Sequence, residues 1–148
     1  MPMGGLSCGG VMGKYTGDAG SGRPVDWSPL DDSDPVPGDP DGVADLGTWC
    51  GNLSELLATA SNQLGGVCVD QFWKSGAGEN FADLLASVAA RCKQAAFRFG
   101  EARTVYGTST TDRYAGLLSS QQAEASKALD KAQSARSEIQ TLLSQRAG

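Results

Sequence analysis

The sequence predicts an all-α fold, a long antiparallel helical hairpin of two or three coiled-coil-like helices behind a disordered Gly/Pro-rich tail. Three observations carry this expectation. All six prolines of the 148-residue chain (Pro2, Pro24, Pro29, Pro35, Pro37 and Pro40) lie at or before residue 40, and proline is the strongest helix breaker. Beyond it, apolar residues recur at alternating intervals of three and four, the spacing of helices packed along a seam. No stretch alternates apolar and polar residues as a half-buried strand would, and Val67-Cys68-Val69 is too short to count.

The tail comes first. Residues 1–38 are rich in Gly, Pro, Ser and Asp and poor in large aliphatics. Such a segment buries too little surface to offset its ordering entropy, so it is expected to be disordered or loosely extended. Trp27 and Leu30 either dock as a small patch or dangle. The excess charge is also here. Of the net −5, all comes from residues 1–41, with seven aspartates against Lys14 and Arg23; residues 42–148 balance ten acids with ten bases. No basic stripe emerges, which argues against a nucleic-acid partner.

The helical domain is expected over residues 39–148. Asp39 is placed to cap and Pro40 suits a first helical position. A first seam runs Val43, Leu46, Cys50, Leu53, Leu57, Ala60, Leu64, and Gly65-Gly66 ends it. Ser75 caps a second helix starting at Gly76 or Ala77, with Glu79 in its first turn. Its seam runs Phe81, Leu85, Val88, Cys92, Ala95, Phe99, Ala102, Tyr106. A third, mostly alanine, seam runs Tyr114, Leu118, Gln121, Ala125, Ala128, Ala132, Ala135, Ile139, Leu142. Between the last two, Gly107-Thr108-Ser109-Thr110-Thr111 disfavours helix. Either the chain turns there and Asp112 caps a new helix, or one long, kinked helix passes through with a phase slip; the two four-residue steps from Tyr106 to Tyr114 favour the second.

The composition excludes several chemistries. There is no histidine, which removes the usual general base near neutral pH and the commonest metal ligand. Serines are plentiful but none has a candidate base, and the N-terminal glycines precede Lys14 without a strand-to-helix phosphate loop. No catalytic residues, metal site or cofactor are therefore expected. No apolar run is long enough to span a bilayer, and the N-terminus lacks the pattern of a classical signal peptide. Cys50 and Cys92 both fall on seams, and a hairpin centred between Leu64 and Phe81 places them nearly level. That allows a disulfide; the alternative is two reduced core residues.

The corner between the first two helices carries a resemblance. Trp73-Lys74-Ser75-Gly76-Ala77-Gly78-Glu79-Asn80-Phe81 resembles the Trp-x-Gly turn of WXG100-like helical hairpins. More closely, residues 38 to about 146 resemble the N-terminal domain of actinobacterial polymorphic toxins exported by type VII secretion. Gly38-Asp39-Pro40 is similar to that domain's helix start, and Tyr114-Ala115 and Gln122-Ala123-Glu124-Ala125 to elements of its long alanine-rich helix. Two features depart from the pattern. Ser75 stands where the motif has glycine, which a positive φ would strain, and no Tyr-x-x-x-Asp/Glu element is present.

The resemblance implies a non-catalytic export and partner-binding module, cytoplasmic before export and secreted by a signal-peptide-independent route. It implies pairing with a small WXG100-like helical protein as a heterodimer, and presentation of the turn, through Trp73, Ser75, Gly76 and Phe81, to a secretion ATPase. On spacing alone, Trp73 would be a lid on the end of the core. The seams are expected to pack on each other and to leave a partner-binding stripe of Leu56, Leu84, Leu117, Leu129 and Leu143. A self-associating coiled-coil homodimer without a secretion role is the alternative.

Overall fold

The computed structural model describes residues 22–148. The expectations for residues 1–21, Cys8 among them, lie outside the described residues. The elements are α1 (Pro40–Gly65), a 3-10 turn (Val69–Gln71), α2 (Gly76–Tyr106) and α3 (Arg113–Ala147), with no strand among the described residues. The fold is all-α, as the proline distribution and apolar spacing require.

α1 starts at the expected proline. Asp39 is extended, its carbonyl accepts the first helical bond from the Val43 amide, and Asp41 lies in the first turn, although the Asp39 side chain makes no capping bond. α2 starts on Ser75, whose hydroxyl accepts from the Gly78 amide at 3.1 Å. Ser75 has φ −160°. It is therefore extended and unstrained, and the turn does not need a glycine there.

The continuous long helix is corrected: α2 and α3 are separate. Gly107 takes φ +82° and closes α2 through its amide to the Arg103 carbonyl at 2.9 Å. A turn from Ser109 to Asp112 follows, with the Asp112 amide bonded to the Ser109 carbonyl at 3.1 Å. One glycine suffices because it meets another. The Gly107 carbonyl lies against Gly47 of α1, so closely that a Cβ on Gly47 would overlap it.

α1 and α2 pack antiparallel through small residues. Ser54 donates to the Ala96 carbonyl at 2.6 Å and Ser61 to the Ala89 carbonyl at 2.7 Å. Gly47, Gly51, Ala89 and Ala96 are buried along this contact. Side-chain hydroxyls reach the partner's backbone only where two helices approach closely, and absent side chains permit that approach. These bonds also set the register. Ser54 lies level with Ala96 and Ser61 with Ala89, so Cys50 lies level with residue 100. Cys92 is eight residues along α2 from that level, about 12 Å at the helical rise. The disulfide expectation is corrected accordingly: Cys50, Cys68 and Cys92 are all free thiols. The sequence misplaced the register because it centred the hairpin on its apolar residues, whereas small residues form the contact.

The tail expectation is also corrected where the structure describes it. Residues 22–38 form a strap along α3. Arg23 pairs with Asp34 and donates to the Gln122 carbonyl at 2.9 Å and the Ser126 hydroxyl at 3.2 Å. The Gln122 side-chain amide donates to the carbonyls of Val36 and Gly38 at 3.1 and 2.9 Å. Further along α3, Gln133 and Arg136 reach Ser28. Trp27 falls between these anchors at 2 % exposure, as does Leu129 of α3 at 2 %. Trp27 also donates its indole N–H to the Pro24 carbonyl and lies under the Arg23 guanidinium. One tryptophan and one paired arginine thus order a segment that composition alone assigns to disorder. Leu30, at 43 % exposure, stays outside the patch.

Candidate partner-binding site

The expected partner stripe divides between two places. Leu56 and Leu84 lie on the hairpin at 54 % and 58 % exposure, and Leu117 and Leu143 on α3 at 57 % and 60 %. Leu129 is corrected: it is buried under the strap and offers nothing to a partner.

The seams are corrected too, with a larger consequence. They do not bury each other. Successive residues turn about 100° around a helix, so directions follow from Ser54 and Ser61 on α1 and from Ala89 and Ala96 on α2. Relative to the interhelical contact, Leu46, Leu53, Trp49 and Leu56 sit roughly a quarter to almost half a turn to one side of α1. On α2, Val88, Ala95 and Leu84 sit roughly a quarter to a third of a turn away. Trp49 and Phe99 meet edge-to-face with ring centroids 5.9 Å apart, so both arcs open on the same side of the hairpin. Thr48, Asn52, Glu55 and Thr59 occupy the other side of α1.

The outcome is an apolar face shared by two helices, with Phe97, 68 % exposed, standing alone on the opposite side of α2. Cys50 is its only buried seam residue; Leu46, Leu53, Leu57, Leu64, Leu85, Cys92 and Phe99 are half-buried. Trp49, Phe81, Leu84 and Val88 are exposed at 44, 38, 58 and 39 %. Contiguous apolar surface of this kind marks an interaction site in soluble proteins.

On α3 the buried positions are Ala115, Leu118, Gln122 and Leu129. Leu118 belongs to the expected seam, but the other three are rotated from it, and Gln121 and Ala128 of that seam are exposed. The strap therefore occupies the flank of α3 beside its alanine seam. Beyond Ala132 every residue of α3 is exposed, including Ile139 and Leu142.

At the tip, Trp73 is both packed and exposed. Val69 of the 3-10 turn is buried at 3 % and its carbonyl accepts the Trp73 amide at 2.8 Å. The Trp73 ring rests on Phe81, centroids 5.8 Å apart, and over Gly78. A Cβ on Gly78 would overlap the Trp73 carbonyl and come within 3.1 Å of the ring. Glycine is therefore the residue that fits this position. Gly76 faces open space. Trp73 thus covers the start of α2 yet stays 43 % exposed, beside Phe72 at 68 %.

The electrostatics of the described residues are mild. The Arg23 hydrogen bond holds the Asp34 carboxyl below its ordinary value, with the Val36 amide helping and burial opposing. Burial pushes the Cys50 thiol up. Lys127 lowers Glu124 by hydrogen bond and charge. Among the described residues no cluster of His, Cys, Asp or Glu could hold a metal ion, and no helix is long and apolar enough to cross a membrane.

Several residues that shape the site escaped the sequence reading. Trp49 was visible, since it adjoins Cys50 on the first seam. Val69, Arg23 and Gln122 carried no periodic signal, because each acts through one specific contact. Compared with known protein families, curated proteins and solved structures, the chain matches none of them.

Proposed function

We propose that this chain is a non-catalytic partner-binding module whose hairpin accepts a second helical hairpin on its open face. The single observation that carries this reading is the apolar face. Trp49, Leu53, Leu56, Phe81, Leu84, Val88 and Phe99 gather on one side of two helices, held apart from the polar side by the serine and small-residue contact. Two helices with a shared apolar face make half of a four-helix bundle, and a second hairpin completes it. On the resemblance of the Trp73–Phe81 turn, the partner is a small WXG100-like protein and the complex is a type VII export substrate. The half-exposed Trp73 is then the group offered to the secretion machinery.

The test is co-expression with each small helical-hairpin protein encoded beside this chain's gene, followed by size-exclusion chromatography with light scattering. A one-to-one complex is expected, lost in Leu84→Asp because an unpaired carboxylate in a closed apolar interface costs several kcal/mol. Trp73→Ala should keep the complex and reduce export. A chain that stays monomeric with every candidate refutes the reading. The exposed Ile139, Leu142 and Leu143 of α3 favour a second reading, self-association into a homodimer; the same experiment distinguishes it as a dimer of the chain alone.

A further inference from the structure

The open face ends along the edge of α2 farthest from α1, and that edge is neither electrically neutral nor featureless. A shallow depression is lined by Arg91, Gln94, Ala95, Arg98, Phe99 and Ala102. Those positions make two successive helical holes, 91-94-95-98 and 95-98-99-102. Each has the spacing i, i+3, i+4, i+7 that receives one side chain from a facing helix in knobs-into-holes packing. Ala95, Phe99 and Ala102 provide an apolar floor, all half-buried, while Arg91 and Arg98 stand exposed at the rim. Neither arginine makes an ion pair among the described residues, whose pairs are Arg23–Asp34, Arg113–Asp112 and Lys127–Glu124. The carboxylates of α2 (Glu79, Asp83 and Glu101) lie toward the polar side, and none of them pairs with Arg91 or Arg98.

We infer that these holes receive two successive apolar side chains of a partner helix bearing carboxylates seven residues apart beside its apolar stripe, opposite Arg91 and Arg98. This rests on the partner-binding reading and adds the partner's chemistry. Flanking charges of this kind set partner choice more than affinity. No single helix of a second copy offers this match. None of α1, α2 and α3 carries two carboxylates seven residues apart; Asp45 is followed by Asn52, Asp83 by Ala90 and Glu124 by Lys131.

The experiment uses the full chain and two synthetic amphipathic helical peptides, each about four heptads long. They share one leucine stripe; one carries Glu at two flanking positions seven apart, the other Lys. Binding is measured by fluorescence anisotropy at low and at physiological salt. The Glu peptide should bind about tenfold more tightly at low salt, equivalent to about 1.4 kcal/mol, and salt should narrow the gap. Arg91→Glu/Arg98→Glu should reverse the preference without changing helicity by circular dichroism. Equal binding of both peptides would overturn the charge rule while leaving the helix-accepting face in place. Binding of neither, with the chain folded, would overturn the face itself. A stable dimer of the chain alone, lost on the double charge reversal, would overturn the choice of a separate partner.

Discussion

Gly47→Ala tests the close approach of α1 and α2 on which the open face depends. In an isolated helix this change is favourable, since alanine exceeds glycine by about 1 kcal/mol. Here the new methyl would overlap the Gly107 carbonyl oxygen and lie 2.8 Å from its carbon. Backbone cannot swing aside as a long side chain can, and Gly107 is fixed by its φ of +82° and its bond to Arg103. Overpacking costs about 1–3 kcal/mol, and the upper end applies where the obstacle is main chain. Subtracting the helical gain leaves a net loss of about 2 kcal/mol. With a urea slope of about 1–2 kcal/mol/M, the midpoint followed by circular dichroism should fall by about 1 M or more. Gly65→Ala is the control. It is also helical, nothing lies within 4 Å of its would-be methyl, and it should gain about 0.5–1 kcal/mol. If both substitutions raise the midpoint, the helices do not approach as described, and the seams regain the interior.

Two further outcomes follow from the strap and the cysteines. Asp34 has a depressed carboxyl pKa, held down first by Arg23, so its stabilisation is present above the unfolded-state value of about 3.9 and is lost as pH falls through the folded value. Strap release, read from Trp27 fluorescence, should therefore occur on acidification below about pH 4, and Asp34→Asn should abolish that step; an unchanged acid transition in the variant contradicts it. Among the described cysteines, thiol labelling of the folded chain should modify exposed Cys68 first and buried Cys50 last, whose thiol burial pushes up. Mild oxidation should yield no Cys50–Cys92 bond, and a linked peptide in mass spectrometry would overturn the register.

Much of the architecture was legible in the residues themselves. Proline confined to residues 40 and below, heptad spacing in α1, and the Ser75 cap carry local physics that needs no neighbours: fixed φ, helical period and an oxygen within reach of a free amide. The Trp73 turn was legible for the same reason, since Trp73, Gly78 and Phe81 lie within nine residues and their contacts are local.

Tertiary structure decided what the apolar residues face. Periodicity shows that a helix has an apolar side but not which neighbour covers it. Glycine, alanine and serine are silent in that pattern, yet in this chain they take the interhelical contact, because close backbones and the Ser54 and Ser61 hydrogen bonds require small side chains. That rotation turns the leucine seams outward and shifts the register that would have set Cys50 level with Cys92. The break at Gly107 and the ordering of residues 22–38 arise likewise from single long-range contacts, Gly47 with Gly107 and Arg23 with Gln122. A one-dimensional sequence states the side chains available for such contacts; only the folded chain brings the two ends of each together.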